Sequence, residues 1–362
     1  MRVLDDRALN RATLARQLLL DRAELSALQA VDHLVGMQAQ EPLEPYVGLW
    51  SRLAGFAPAE LAGLMQDRQV VRTHLQRRTV HLVTAADCLA LRSLFQPMLV
   101  QRMLGILRSQ LGDVDLDELA AAGRPHFDAE PLQLPEVGRR VGERWPDVPA
   151  RVLGGALVSL LGLVQATPRG VWGHPKAPAA NTTIEAWLGR PFDPEPADAG
   201  ELVLRYLRAY GPAATADVRS WSGLTGLPAA VKAIRPQLRT FRDQRGRELL
   251  DVIDGPLPDP DTPAPPRFLP AFDNAVLGYD DRSRIIDDEH RGMSIHGIRF
   301  VLVDGRVAAT WTVTSDGVDV TPLRPLTPTE EADVEEERER LTTFLGDDET
   351  ESGKPLSDNH VA

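Results

Sequence analysis

The sequence holds one cysteine, Cys88, so it forms no intrachain disulfide and no cysteine-based zinc site. Lys176, Lys232 and Lys354 are its only lysines, which leaves arginine to carry nearly all the positive charge. No apolar run approaches the roughly 20 residues of a membrane-spanning helix. The opening MRVLDDRALNRATLARQLLL carries acidic residues and no small-residue cleavage site, so no secretory signal is expected. No Gly-rich phosphate loop and no GxSxG nucleophile elbow occur. His74 and His81 would make a metal pair, but no third ligand with suitable spacing is visible. Neither metal nor cofactor is therefore expected, and the chain reads as a cytoplasmic protein.

At 362 residues the chain is long enough for two to four small domains, and its 43% hydrophobic content supports real cores. The net charge of -12 argues at first against a nucleic-acid partner, because phosphate contacts need cations. The distribution weakens that objection. Much of the acid lies near the C-terminus, in TEEADVEEERERL and GDDETESG, whereas Arg68, Arg72, Arg77 and Arg78 cluster, as do Arg282, Arg284 and Arg291. Arginine suits bidentate contact with phosphate.

Helical periodicity covers residues 7–20, 26–37 with Ser26 as N-cap, 46–54 and 58–66 with Pro58 in the first turn. VVRTHLQRRTVHLVTAAD then reads as a β-hairpin before a helix near 85–110. Three helices and a hairpin make a winged helix, a variant of the helix-turn-helix. The pattern recurs in 115–161, followed by a strand and wing in LVQATPRGVW. It recurs again in 199–236, followed by the hairpin TFRDQRGRELLDVID turning at Gly246. Pro-rich links, GRPFDPEPADAG and DGPLPDPDTPAPPR, separate the later units. A β-rich module with turns at Asp304-Gly305 and Asp316-Gly317 follows, then a charged helix over 328–345 capped by Thr327 or Thr329. The expected fold class is α+β: three tandem winged-helix units at 1–112, 113–195 and 196–256. A β-rich C-terminal module with its helix at 257–345 and a disordered tail at 346–362 complete it.

Gln38-Ala39-Gln40 is the most informative short motif, set after an apolar helical stretch and before Pro42 and Pro45. From the residues alone a solvated helix end is the simpler reading. The other is an amide pair that binds water or a base. Arg72, His74, Arg77, Arg78 and His81 are either a solvated wing or a wing that grips phosphates. In LPAFDNAVLGYDDRSRII, Asp273-Asn274 is common turn chemistry, with Arg282 and Arg284 alternating beyond it. Those arginines make either surface ion pairs or a phosphate clamp beside the Asp-Asn pair. The segment DDEHRGMSIHG, with His290, Arg291 and His296, carries too much charge and glycine for a core strand.

VGMQAQEP, RTHLQRRTVHLVTAAD, LPAFDNAVLGYDDRSRI and VDGRVAATW occur in this order across roughly residues 7–326. In that set the chain resembles the winged-helix DNA glycosylases of the AlkZ and YcaQ type. The resemblance implies a C-shaped array of three winged-helix units with a C-terminal β module. It implies a catalytic Gln-x-Gln or Gln-x-Asp motif, matched here by Gln38 and Gln40. The second glutamine resembles the AlkZ-like branch, associated with self-resistance to DNA-alkylating natural products; the broader branch unhooks interstrand crosslinks. The implied substrate is double-stranded DNA with alkylated purines, and the implied role is base excision repair.

For a cationic N7-alkylguanine the departing base leaves neutral and needs no general acid. Two amides that hold a water near C1′ then suffice, by positioning rather than by general-base chemistry. The matched motifs contain no lysine to form a Schiff base, so a monofunctional enzyme is expected. Arg72, His74, Arg77, Arg78, His81, Arg282, Arg284 and Arg291 are the expected DNA contacts, with Asp273 and Asn274 as support. No heptad seam suggests a coiled-coil dimer, so a monomer is expected. The rival readings are a non-catalytic winged-helix regulator and a protein that sequesters the alkylating drug.

Overall fold

The computed structural model describes residues 2–315 and 317–346. Asp316, Lys354 and the tail beyond residue 346 lie outside the described residues. The chain folds as a mixed α+β protein. Its first block runs β1 (Val3–Leu4), α1 (Asp6–Arg16), α2 (Ala27–His33), β2 (Met37–Gln38), α3 (Glu44–Trp50), α4 (Pro58–Gln66), β3 (Val70–His74), β4 (Val80–Thr84) and α5 (Ala85–Leu111). The second holds α6 (Leu116–Ala129), β5 (Leu132–Gln133), α7 (Leu134–Gly142), α8 (Ala150–Leu160), β6 (Leu163–Gln165), β7 (Ala180–Thr183) and α9 (Ile184–Leu188). The third holds α10 (Ala199–Tyr210), α11 (Thr215–Ser222), α12 (Leu227–Ile234), β8 (Leu238–Asp243) and β9 (Glu248–Val252). The last holds β10 (Arg267–Leu269), α13 (Asn274–Leu277), β11 (Arg299–Val303), β12 (Arg306–Thr314), β13 (Gly317–Pro322) and α14 (Pro328–Gly346).

Local signals account for many of these boundaries. Ser26 and Gln29 form a reciprocal capping box at α2, which satisfies two otherwise orphaned N–H groups. Thr327 and Glu330 exchange the same pair of bonds at α14. Asp304 and Gly305 both take positive φ, 47° and 78°, which closes the β11–β12 hairpin.

The second expected helix is shorter than its periodicity. It ends at His33 because Val35 and Gly36 turn left-handed, with φ of 55° and 91°. A Cβ on Gly36 would lie 2.6 Å from Val83 Cγ1, so only glycine lets the chain pass this close to β4. The chain then pairs as β2, antiparallel to β4, with Gln38 opposite His81. Gln38 therefore stands on a strand and not at a helix end. In the second block only Leu163–Gln165 of LVQATPRGVW is a strand, and its partner β7 comes after a long loop.

Three sheets order the blocks. A six-stranded sheet runs β2-β4-β3-β6-β7-β5, so the first and second hairpins share one sheet through Arg72 opposite Gln165. The N-terminal β1 pairs in parallel with β8 of the third block. The last block forms a meander, β10-β11-β12-β13. Its helix α14 returns to the first block, where Phe344 packs against Trp50 and Phe56, and it also meets Trp172 of the second block. Among the described residues no helix is long and apolar enough to cross a membrane.

Candidate active site

Gln38 sits where the edge strand β2, the β3–β4 turn, the end of α10 and the start of α13 meet. It lines a small cavity with Gln17, Met37, Arg52, Tyr210 and Asn274 among others, with about 20 Å³ of room for water-molecule centres. That is space for about one water, since roughly 10–15 Å³ of this measure is needed.

The β3–β4 turn sets Arg77 against Gln38 and Asn274, two of the residues that line this cavity. Arg77 and Arg78 are consecutive left-handed residues, φ 56° and 64°, an uncommon conformation for residues that carry side chains. The Arg77 guanidinium donates to Gln38 Oε1 at 2.6 Å, to Asn274 Oδ1 at 3.0 Å and to the Trp221 carbonyl at 2.7 Å. Among the described residues no carboxylate pairs with it. Burial pulls the group down to about 10, with Arg282 and Arg102 adding to the shift and Tyr210 and Tyr206 opposing it. It remains a cation at neutral pH.

Behind the cavity lies a buried ion pair. Arg52 donates to both oxygens of Asp273, at 2.8 and 2.9 Å, and the two side chains are 2% and 4% exposed. The same carboxylate caps α13 by accepting from the Ala275 N–H. Asp273-Asn274 is thus a helix start rather than a loose turn. An aromatic wall holds it in place: Tyr206 and Tyr210 stack at 4.8 Å and both tilt against Trp221. The Tyr206 hydroxyl donates to the Gly278 carbonyl at 2.8 Å, and the Tyr279 hydroxyl to the Tyr210 carbonyl at 2.8 Å.

His81, opposite Gln38, is fully buried. Its Nδ1 lies 3.1 Å from the Thr79 carbonyl and so acts as donor, leaving Nε2 buried and without a partner among the described residues. Burial, and then the Arg77 charge, hold this imidazole down to about 3. Burial and the nearby Arg78, Arg92 and Arg72 hold His74 down to about 4. Neither is a cation that could meet a phosphate at neutral pH.

The two glutamines differ. Gln38 is half-buried and its oxygen is held by Arg77. Gln40 is exposed, and among the described residues its side chain has no hydrogen-bond partner.

The expected phosphate contacts divide in the same way. Arg72 is 1% exposed and spends its guanidinium on Gln165 Oε1 and the carbonyls of Ala39 and Pro42, so it braces the loop that carries the glutamines. Arg284 is 1% exposed, lies over the Tyr279 ring at 4.4 Å and donates to the Pro212 carbonyl. Neither side chain reaches the surface. Arg78 is tied to Ser159 Oγ and the Gly155 carbonyl, so the turn that carries it is packed against α8 instead of projecting. Arg282 is half-buried and bonded to Ser294 Oγ, while Arg291 is exposed.

Arg52, Gln17, Tyr210 and the exposed Arg102 were not legible as site residues. Arg102 donates to the Arg77 carbonyl at 3.1 Å and so stands beside the β3–β4 turn. No local motif marks any of them.

A family model described as DNA glycosylase AlkZ-like matches residues 31–344. No curated protein matches the chain at a significant level. Among solved structures, the DNA glycosylase AlkZ of Streptomyces sahachiroi is similar, with a TM-score of 0.74 and 22% sequence identity over 93% of this chain and 95% of that one. At that identity the likeness is one of fold.

Proposed function

The chain belongs to the AlkZ-like DNA glycosylase family, and from that premise we propose that it hydrolyses the N-glycosidic bond of cationic N7-alkylguanine-type bases in double-stranded DNA, leaving an abasic site. The carrying observation is the make-up of the Gln38 cavity. It has room for about one water and is lined by amides and a buried ion pair, with Arg77 bonded to two of the amides and the nearby His81 held neutral. The one carboxylate in its lining, Asp273, is taken up by both Arg52 donors and the Ala275 N–H, and the amides neither give up nor take a proton at neutral pH. That suits a lesion whose base is already cationic and departs as a neutral molecule, through an oxocarbenium-like sugar that needs a positioned water.

The glutamines take separate roles in this reading. Gln40, exposed and unpartnered among the described residues, turns its amide oxygen to a proton of the water. Gln38, fixed by Arg77, holds the other side of that water or contacts the deoxyribose. Arg102, Arg282 and Arg291 meet backbone phosphates. With the Arg78 turn tied to α8, the segment around His290 and Arg291 is the element that probes the DNA. The three helix-and-hairpin blocks act as tandem winged-helix units whose concave face admits a bulky adduct or a crosslink while it stays in the duplex. The enzyme works as a cytoplasmic monomer, in base excision repair or in self-resistance to an alkylating natural product. It is monofunctional, because Lys176 and Lys232 lie on segments outside the cavity lining.

Base release from duplex DNA carrying N7-methylguanine tests the proposal, with the Gln38→Ala, Gln40→Ala double variant beside the wild type. Release by the wild type and a loss of a hundredfold or more in the variant are expected. Equal release by both would remove the glutamines from the chemistry, and efficient release of uracil would overturn the selectivity for cationic bases.

A further inference from the structure

Two side chains that line the Gln38 cavity keep a buried polar atom without a partner among the described residues, Arg52 at Nε and Asn274 at Nδ2, and of the two only Asn274 is an uncharged amide. It is 6% exposed. Its Oδ1 accepts from Arg77, while its Nδ2 is buried with no partner among the described residues. A buried amide N–H without an acceptor is unfavourable, and native structures rarely leave one so.

The orientation of this amide is not free. A guanidinium has donors and no acceptor, so the atom that faces Arg77 must be oxygen. Arg77 thereby fixes the NH2 group of Asn274 away from itself, and Asn274 is one of the residues that line the cavity. The same cation holds Gln38 by its oxygen, 2.6 Å away. One arginine, itself set by two left-handed residues, therefore fixes two amides at once.

We propose that Asn274 is a third catalytic amide, whose Nδ2 donates to the oxygen of the attacking water, with Arg77 as the residue that positions it. The proposal rests on the glycosylase reading above. A water in this cavity then has its tetrahedral partners. One lone pair accepts from Asn274 Nδ2 and the other points at C1′. One proton is donated to the remaining lone pair of Gln38 Oε1, and the second to Gln40 Oε1 once that exposed side chain, which lies outside the cavity lining, turns in toward the water. As the bond from C1′ to the base breaks, its electron pair moves onto the cationic base, which leaves neutral. The water oxygen bonds to C1′, and the surplus proton passes to solvent, since no amide retains it.

The test is single-turnover release of N7-methylguanine by the wild type, Asn274→Asp and Asn274→Ala, with duplex affinity and melting midpoint measured on each. Asn274→Asp keeps the shape, keeps an acceptor for Arg77 and removes the N–H. A merely structural role predicts that it works. The proposal predicts a rate at least tenfold lower, with duplex affinity and melting midpoint unchanged. Repeating the reaction in dilute methanol reads the water directly, because an unpinned site admits the larger nucleophile. The methoxy share of the sugar product is expected to rise in Asn274→Ala. Wild-type rate in Asn274→Asp would overturn the proposal. If that variant fails to fold, an unchanged methoxy share in Asn274→Ala would do the same. No release by the wild type would strike the glycosylase reading itself, and this inference with it.

Discussion

Between pH 8 and pH 5, base release by this enzyme is expected to stay level while the fold loses stability, and both effects have one origin. His81 stands opposite Gln38 across the β2–β4 pair, and burial with the Arg77 charge holds it down to about 3. At pH 5 such an imidazole is still ~99% neutral, whereas one at the ordinary value of about 6.5 would be ~97% protonated. A rate that depended on an ordinary histidine base would therefore fall ~30-fold between its plateau and pH 5. Amides do not titrate in this range, so a change of less than ~2-fold is expected here.

Stability moves for the same reason. The unfolded chain takes up a proton at His81 as pH falls through 6.5, and the folded chain refuses it down to about 3. The contribution is thus full above 6.5 and is lost on acidification. One pKa unit is about 1.4 kcal/mol, so His81 alone withdraws about 2 kcal/mol by pH 5. His74, held down to about 4, acts in the same direction. The measurements are single-turnover release of N7-methylguanine across this range, circular dichroism at each pH, and urea midpoints at both ends. A sigmoidal rate with an inflection between pH 5.5 and 7.5, in protein that remains folded, would refute water positioning by amides. An acid-stable urea midpoint would refute the buried neutral histidines.

Two further substitutions probe the parts of the site that the fold supplies. Asp273→Asn keeps a side chain able to cap α13 but leaves the buried Arg52 without its carboxylate, so a loss of about 3–5 kcal/mol is expected in urea unfolding. Adding Arg52→Met should recover part of that loss, and a fully additive penalty would deny that the two residues act as a pair. For duplex binding, Arg102→Ala and Arg291→Ala are each expected to lower the slope of log affinity against log salt by about 1. Arg72→Met should leave the slope unchanged while lowering the melting midpoint. A slope change in Arg72→Met would mean that its guanidinium leaves the carbonyls of Ala39 and Pro42 to meet DNA.

Elements with short-range causes were legible. The Ser26 cap, Pro58 in the first turn of α4, the β3–β4 hairpin and the Asp304-Gly305 turn each depend on residues within a few positions of one another. Where a long-range contact overrode the local pattern, the reading failed. The periodicity of 26–37 continues past His33, but the chain leaves the helix at Gly36 to pair with β4, some 45 residues later. In the second block the turn signal of TPRG falls inside a long loop, and the returning strand β7 starts only at Ala180, a pairing that no local signal sets.

The arginines show the same limit most clearly. Arg72 and Arg77 stand five positions apart in one basic hairpin and read alike. One is enclosed by carbonyls of the glutamine loop and by Gln165 of the second block, and the other reaches Gln38, Asn274 and the Trp221 carbonyl. Charge patterning tells where cations are dense in the chain, not which acceptors will surround each one.

Composition and short-range chemistry by themselves determined that this is a lysine-poor α+β chain with no disulfide, with its caps, its hairpins and a Gln-Ala-Gln motif. Only the tertiary structure decided that Gln38 stands on a strand, that Arg77 holds it together with Asn274, and that Arg72 and Arg284 are internal braces. The reason is physical. A cap or a turn is satisfied by neighbours in sequence, whereas a buried guanidinium is placed by oxygens that come from distant segments and meet only when the chain has folded.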